Sequence, residues 1–184
     1  KDGRLLYAET LPAAGLMEPL RRFLFENVSH RVGFFFRYSR LDFDDRFPGG
    51  KWSGSRLECS PLSRISRFTE FCAANTVCDT EAQAAAGAQA IREAFPMLNP
   101  MRNGICIDIA PAGTDKGEGI ARYAKLYGID HDKIWTAGDN DNDLSMLSRY
   151  RGCAMTVSSP AARSAARHIC QNIAEVISLI SGAE

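Results

Sequence analysis

The chain is 184 residues long, 45% hydrophobic and 24% charged, enough to bury a core in one domain or in one and a half. Its twenty-two basic residues balance twenty-two acidic ones, which excludes the basic field of a nucleic-acid binder and a polybasic membrane patch. No apolar run approaches the roughly twenty residues that span a bilayer, so neither a nucleic acid nor a membrane is an expected partner.

In chain order, residues 5–9 predict an edge strand and residues 12–27 a helix that Pro19 would kink. Leu16, Leu20, Phe23, Leu24 and Phe25 give that helix its apolar stripe, with Arg21, Arg22 and Glu26 outside. Residues 32–38, with three consecutive phenylalanines, predict a strand too apolar to stay uncovered. From 41 to 66 the chain is punctuated by Pro48, Gly49, Gly50, Gly54 and Pro61, with a short strand expected at 56–60 and another at 68–73. An Ala-rich helix follows at 79–95, capped by Asp79 or Thr80, and residues 96–103 read as a domain boundary.

Beyond it, residues 105–109 predict a strand that Pro111 and Gly113 end. Thr114 or Asp115 can then cap a helix whose inner face would be Ile120, Tyr123, Ala124 and Tyr127. Lys116 starts that helix, where a cation opposes the dipole and calls for a nearby anion. The next strand, 134–137, runs into Gly138 and then the carboxylates Asp139, Asp141 and Asp143, interleaved with Asn140 and Asn142. Such a turn must face water, a helix N-terminus or a cation. A hard divalent ion such as Mg²⁺ fits best, because it is held by one or two carboxylates plus waters and substrate phosphate. The EF-hand alternative lacks its central Gly and its final Glu. A helix from Asn142, a strand at 153–157, a helix at 160–168 and a last helix at 175–180 complete the chain.

The cysteines, at 59, 72, 78, 106, 153 and 170, form no CxxC pair and are read as reduced thiols of a cytoplasmic protein. His30, His131 and His168 share no metal-ligand spacing.

Asp115-Lys116-Gly117-Glu118-Gly119 after a strand, and Gly138-Asp139-Asn140-Asp141-Asn142-Asp143 one helix and one strand later, resemble the third and fourth motifs of the haloacid dehalogenase-like phosphatases, in particular the Cof-type, sugar-phosphate branch. Cys153-Ala154-Met155 and the following Ser-Pro-Ala-Ala-Arg are similar to that family's next strand and helix, although Thr156 and Val157 replace its usual Gly-Asn. The resemblance covers residues 95–184 well and the earlier half loosely. It implies an α/β fold in which residues 98–184 form the C-terminal half of a Rossmann-like core, a parallel sheet with flanking helices, and residues 1–97 an α+β cap.

The activity implied is Mg²⁺-dependent hydrolysis of a phosphate monoester, such as a sugar phosphate, through an aspartyl-phosphate. Lys116 would neutralise the nucleophile and the phosphoryl oxygens, and Asp139 would ligate Mg²⁺. Asn142 and Asp143 would order the metal's surroundings and the phosphate loop, with Asp143 counted as a catalytic residue and a second metal ligand. In the cap, Lys51, Trp52, Arg56, Arg64 and Arg67 are the expected contacts to a sugar or a second phosphate. A small phosphorylated substrate is thus the expected partner, with a homodimer as the assembly allowed for.

The family's aspartate nucleophile and its acid–base partner are not found where the resemblance puts them. The chain opens on Lys1-Asp2-Gly3-Arg4, read as the start of a cap, so about eighty residues carrying the nucleophile are expected to precede it, and these 184 residues to be inactive alone. Asp42 and Asp44 imitate the missing pair but lack the clean strand end that would bring a carboxylate to the sheet edge. Two other functions fit the same motifs: a phosphomutase or phosphotransferase, and a non-catalytic metal-binding module.

Overall fold

Residues 7–46 and 62–182 are described by the structure, a computed structural model. They fall into two units, Lys1–Ala112 and Gly113–Glu184.

The first unit begins with β1 (Leu11–Pro12), followed by α1 (Met17–Asn27), β2 (Arg31–Phe35) and β3 (Arg40–Asp44). A 3₁₀ turn (Leu62–Arg67), β4 (Glu70–Phe71), β5 (Ala73–Val77), α2 (Glu81–Ala94), β6 (Leu98–Asn103) and β7 (Cys106–Pro111) complete it. β1 pairs antiparallel with β4, and the other five strands form an antiparallel sheet in the order β3-β2-β5-β7-β6.

Strand alternation divides this sheet into two chemically different faces. The cross-strand neighbours Val32–Phe43, Phe34–Leu41, Phe34–Ala74 and Ala74–Ile109 point to one side. There they bury with Leu20 and Leu24 of α1 and Ala88 and Ile91 of α2 in one core. The other register positions carry Arg31 opposite Asp44, and Gly33 between Asp42 and Asn75. Gly33 has a packing reason: a Cβ there would lie 2.6 Å from the Arg40 guanidinium and 2.7 Å from the Asn75 amide oxygen.

Several expectations are corrected here. The first helix starts at Met17, so Pro19 falls in its first turn, where its missing N–H removes no intrahelical bond and it has no kink to cause. The segment after residue 41 contains a strand, β3, because Leu41 and Phe43 alternate with Asp42 and Asp44 and pair with β2. The strand expected at 68–73 is instead β4 and β5, separated at Cys72. The strands expected at 5–9 and 56–60 involve residues outside the described ones, and residues 7–10 form no strand.

The expected boundary at 97/98 also moves, to between Ala112 and Gly113. β6 and β7 form a hairpin through Gly104, which has a left-handed φ of 58°, and β7 pairs along β5. Burial of Leu98, Ile107 and Ile109 in the first core makes the hairpin part of that unit.

The second unit consists of α3 (Lys116–Tyr127), β8 (Trp135–Gly138), a 3₁₀ turn (Asp141–Asp143), α4 (Leu144–Arg149), β9 (Arg151–Met155), α5 (Pro160–Ala165), β10 (His168–Cys170) and α6 (Ile173–Ser181). Its three strands form a parallel sheet in the order β10-β9-β8. Trp135 and Ala137 pack with Cys153, Cys170 and α6 residues Val176 and Leu179. Thr136, between them on the strand, instead donates to the Met146 carbonyl of α4 at 3.0 Å. The sheet therefore carries α6 on one face and α4 on the other.

One predicted face and one predicted helix end differ from the structure. On α3 the buried positions are Gly117 and Ala124, whereas Tyr123 and Tyr127 are about half exposed and lie against each other, ring centroids 4.7 Å apart. The helix predicted to reach 168 stops at Ala165, and His168 opens β10. Cys72, Cys78, Cys106, Cys153 and Cys170 are free thiols, while Cys59 lies outside the described residues. Burial and the neighbouring Cys170 push the Cys153 thiol up to about 11, which makes it a packing group and a poor nucleophile at neutral pH. Among the described residues no helix is long and apolar enough to cross a membrane.

Candidate phosphate and metal site

The site is built where β8 ends and α3 begins. Gly113, at a φ of 76°, turns the chain before Asp115, which takes extended geometry and caps α3. Its carboxylate accepts from the Glu118 N–H at 2.7 Å. This places Lys116 in the first helical position. The helix packs tightly against α4 because residue 117 is glycine: a Cβ there would sit 2.8 Å from the Ser145 carbonyl oxygen. Two hydrogen bonds fix that approach, from Gly117 N–H to Ser145 Oγ at 3.0 Å and from the buried Tyr150 hydroxyl to the Gly117 carbonyl at 3.1 Å.

The acidic turn folds back on itself around Asp143. One carboxylate oxygen of Asp143 accepts the backbone N–H groups of Asp139 at 3.0 Å and Asn140 at 3.2 Å. The other accepts the Lys116 ammonium at 2.5 Å. Gly138 is required by this arrangement, since a Cβ there would lie 2.6 Å from the Asp143 Cβ. The cation at the start of α3 thus has its anion, and the unfavourable first-turn position is offset by a charge-assisted bond.

The electrostatics of the pair are asymmetric. The Asp143 side chain is 5% exposed and that of Lys116 is 48% exposed. Burial pushes the Asp143 carboxyl up. The Lys116 bond, the two N–H groups and the Lys116 charge together outweigh it and hold the carboxyl below the ordinary Asp range. Asp143 is therefore ionised and anchored, while its partner ammonium keeps about half its surface in solvent.

The loop after β9 braces the same turn. Ser159 donates its backbone N–H to the Asp139 carbonyl at 2.9 Å and its hydroxyl to Asp141 at 2.9 Å, and it caps α5 by accepting from Ala162 at 3.2 Å. Asp141, expected to face a cation with the other two carboxylates, is thus engaged by a hydroxyl. Asn142 is buried at 8% exposure and Asp139 is exposed.

Of the expected site residues, the fold brings together Lys116, Asp139, Asn142 and Asp143. Arg56, Lys51 and Trp52 lie outside the described residues. Arg64 and Arg67 are exposed on the 3₁₀ turn of the first unit. Asp42 and Asp44 sit on β3 in ion pairs: Asp42 with Arg40 at 2.6 Å, and Asp44 with Arg46 at 3.1 Å and Arg31 at 3.8 Å. Sequence reasoning missed Ser145, Tyr150 and Ser159. Only Ser159 had a local signal, as a Ser before the Pro that opens a helix.

Among the described residues no cluster of three or more His, Cys, Asp or Glu side chains could by itself enclose a metal. Mg²⁺ takes one or two protein carboxylates and completes its shell with waters and phosphate oxygens. Asp139, exposed just beyond the strand end, supplies the oxygen chemistry such an ion needs.

Residues 63–178 match the family described as haloacid dehalogenase-like hydrolase. A phosphoglycolate phosphatase of Pyrobaculum aerophilum is 35% identical over 65 residues, which are 35% of this chain and 28% of that protein. Among solved structures, an HAD/COF-like hydrolase from Plasmodium vivax superposes with a TM-score of 0.78 at 18% identity, covering 96% of this chain and 66% of that one. A subclass IIB sugar phosphatase of the HAD superfamily gives a TM-score of 0.72 at 17% identity, covering 92% of this chain and 65% of that one. The chain spans less than a third of the curated relatives it matches and about two thirds of these solved structures.

Proposed function

Because this chain belongs to the haloacid dehalogenase-like hydrolases, we propose that its second unit is the phosphate- and metal-handling part of a Mg²⁺-dependent phosphomonoester hydrolase acting on a sugar phosphate. The observation that carries this reading is the Lys116–Asp143 pair. A half-exposed ammonium is fixed by a buried carboxylate at the first turn of a helix, beside a turn whose exposed carboxylate is Asp139.

Phosphoryl transfer asks the protein for positioning and charge stabilisation more than for varied acid–base groups. The Lys116 ammonium offsets the negative charge that grows on the phosphoryl oxygens, and Asp143 keeps it in place. Asp139 is the first ligand for Mg²⁺, with Asp143 and Asn142 holding the turn that carries it. When bound, Mg²⁺ supplies Lewis-acid polarisation of a phosphoryl oxygen. Asp42 and Asp44 are held in ion pairs with Arg40 and Arg46 and are not assigned the role of the phosphorylated aspartate.

The test is phosphate release from a panel of sugar phosphates by the product of the complete gene, with Mg²⁺ and with EDTA. Metal-dependent release that Asp139→Asn abolishes is the expected result. Wild-type turnover in that variant would sink the assignment, and transfer between positions of a bisphosphate without net release would point to a mutase.

A further inference from the structure

On the first unit, the turn between β2 and β3 and the residues around β4 enclose a recess of about 310 Å³, within the range of small-molecule sites. Part of its wall is the Phe36–Phe68 pair, stacked with ring centroids 3.7 Å apart and planes at 24°. Tyr38 also lines the recess and is 80% exposed, with the Arg37 guanidinium 4.9 Å from its ring centroid. Arg67 is a second lining cation. Among the described lining residues the one carboxylate, Glu70, already accepts the Thr10 hydroxyl at 2.9 Å.

An exposed tyrosine alone is ordinary. Here it stands at a ligand-sized recess with a stacked aromatic pair and two guanidinium groups, which bind flat rings by stacking and anions by paired N–H donors. Among the described lining residues the two arginines exceed the single carboxylate, a balance that favours a negative ligand. The chain as a whole carries no net charge, so this positive balance is local and suits one small molecule better than a polymer.

We propose that this recess binds a small anionic compound bearing a planar ring, of the mononucleotide type. The ring lies on the aromatic surface of Tyr38 and the Phe36–Phe68 pair, and the anion is held by Arg37 and Arg67. The proposal concerns the first unit and stands apart from the phosphatase reading, because binding can be measured without metal or turnover.

The test is calorimetric titration of the protein with adenosine 5′-monophosphate, adenosine and ribose 5-phosphate in EDTA, repeated on Lys116→Ala to separate any phosphate binding at the second unit. Adenosine monophosphate is expected to bind at least about 10-fold more tightly than either half-compound, since stacking and ion pairing add. Tyr38→Ala and Arg67→Ala should each weaken it by roughly 5- to 10-fold, with the thermal midpoint unchanged because both side chains are exposed. The nucleotide should also slow alkylation of Cys72, a lining thiol, by N-ethylmaleimide, read by peptide mass mapping. No saturable binding, equal affinity for the monophosphate and ribose 5-phosphate, unchanged affinity in both rim variants, or loss of binding in Lys116→Ala would each overturn the proposal.

Discussion

Each unit of this protein contains a pair of closely spaced aspartates, and the two pairs have different fates. On β3, Asp42 and Asp44 lie two apart on one strand of an antiparallel sheet, and the guanidinium groups of Arg40, Arg46 and Arg31 cover them. At the end of β8, Asp143 is buried against backbone N–H groups and one lysine, while Asp139 remains exposed. Residue type is nearly the same in both. What differs is that a parallel strand ends in a turn whose free N–H groups absorb one carboxylate and leave the next one available.

The largest effect is expected at Asp139. Asp139→Asn keeps the shape but removes the charge a divalent ion needs, and metal-dependent phosphate release by the full-length protein should fall by at least about 10³-fold. Asp42→Asn, measured alongside, should leave it within about twofold, because Asp42 is held in a part-buried pair with Arg40 on its own strand. An equal loss in both variants would erase the distinction drawn between the pairs.

Next in size is Lys116→Ala, expected to lower kcat by about 10²- to 10³-fold through loss of one charge-stabilising donor. Mg²⁺ affinity should change much less, and calorimetry on the same variant would show whether the two effects separate.

Gly138→Ala tests the fold-back itself. A Cβ 2.6 Å from Asp143 must push the turn open, so a stability loss of about 1–3 kcal/mol is expected in chemical denaturation. No loss would mean that the turn relaxes at little cost.

The smallest effect expected is on the acid limb of the stability curve. Asp143 and Asp44 are each pushed up by burial and pulled down further, Asp143 by Lys116 and backbone N–H groups, Asp44 by Arg46 and Arg31. A carboxyl whose folded pKa lies below its unfolded one, near 4, adds stability above that value and loses it as pH falls through the folded value. Denaturation midpoints should therefore drop on acidification below about pH 4. Asp44→Asn should flatten that drop while leaving turnover intact; an unchanged acid limb would show that Asp44 contributes no linkage.

Several local parts of this protein follow from neighbouring residues alone. Capping residues set the start of α3, since Asp115 needs only the N–H of Glu118, three residues on. The apolar run into Gly138 set β8, and the interleaved aspartates set a turn that must meet donors or a cation. Lys116 at a helix start signalled an anion nearby, because the dipole makes that position unfavourable alone. These features depend on neighbours within a few residues, which is why they were legible.

Tertiary structure decided the rest. Whether the hairpin of β6 and β7 joined the first or the second unit depended on pairing with β5, a contact about thirty residues away in sequence, so the boundary moved. Of the face that periodicity predicts for α3, Ala124 is buried while Tyr123 and Tyr127 stay about half exposed, and the close approach to α4 is made at Gly117, where a Cβ would meet the Ser145 carbonyl. The carboxylate that Lys116 meets was likewise settled by burial and by the N–H groups of a turn that forms only when Gly138 lets Asp143 fold back. Periodicity names the faces an element can present; which face is buried, and which charge is left exposed for chemistry, is fixed by the partners that the fold brings against it.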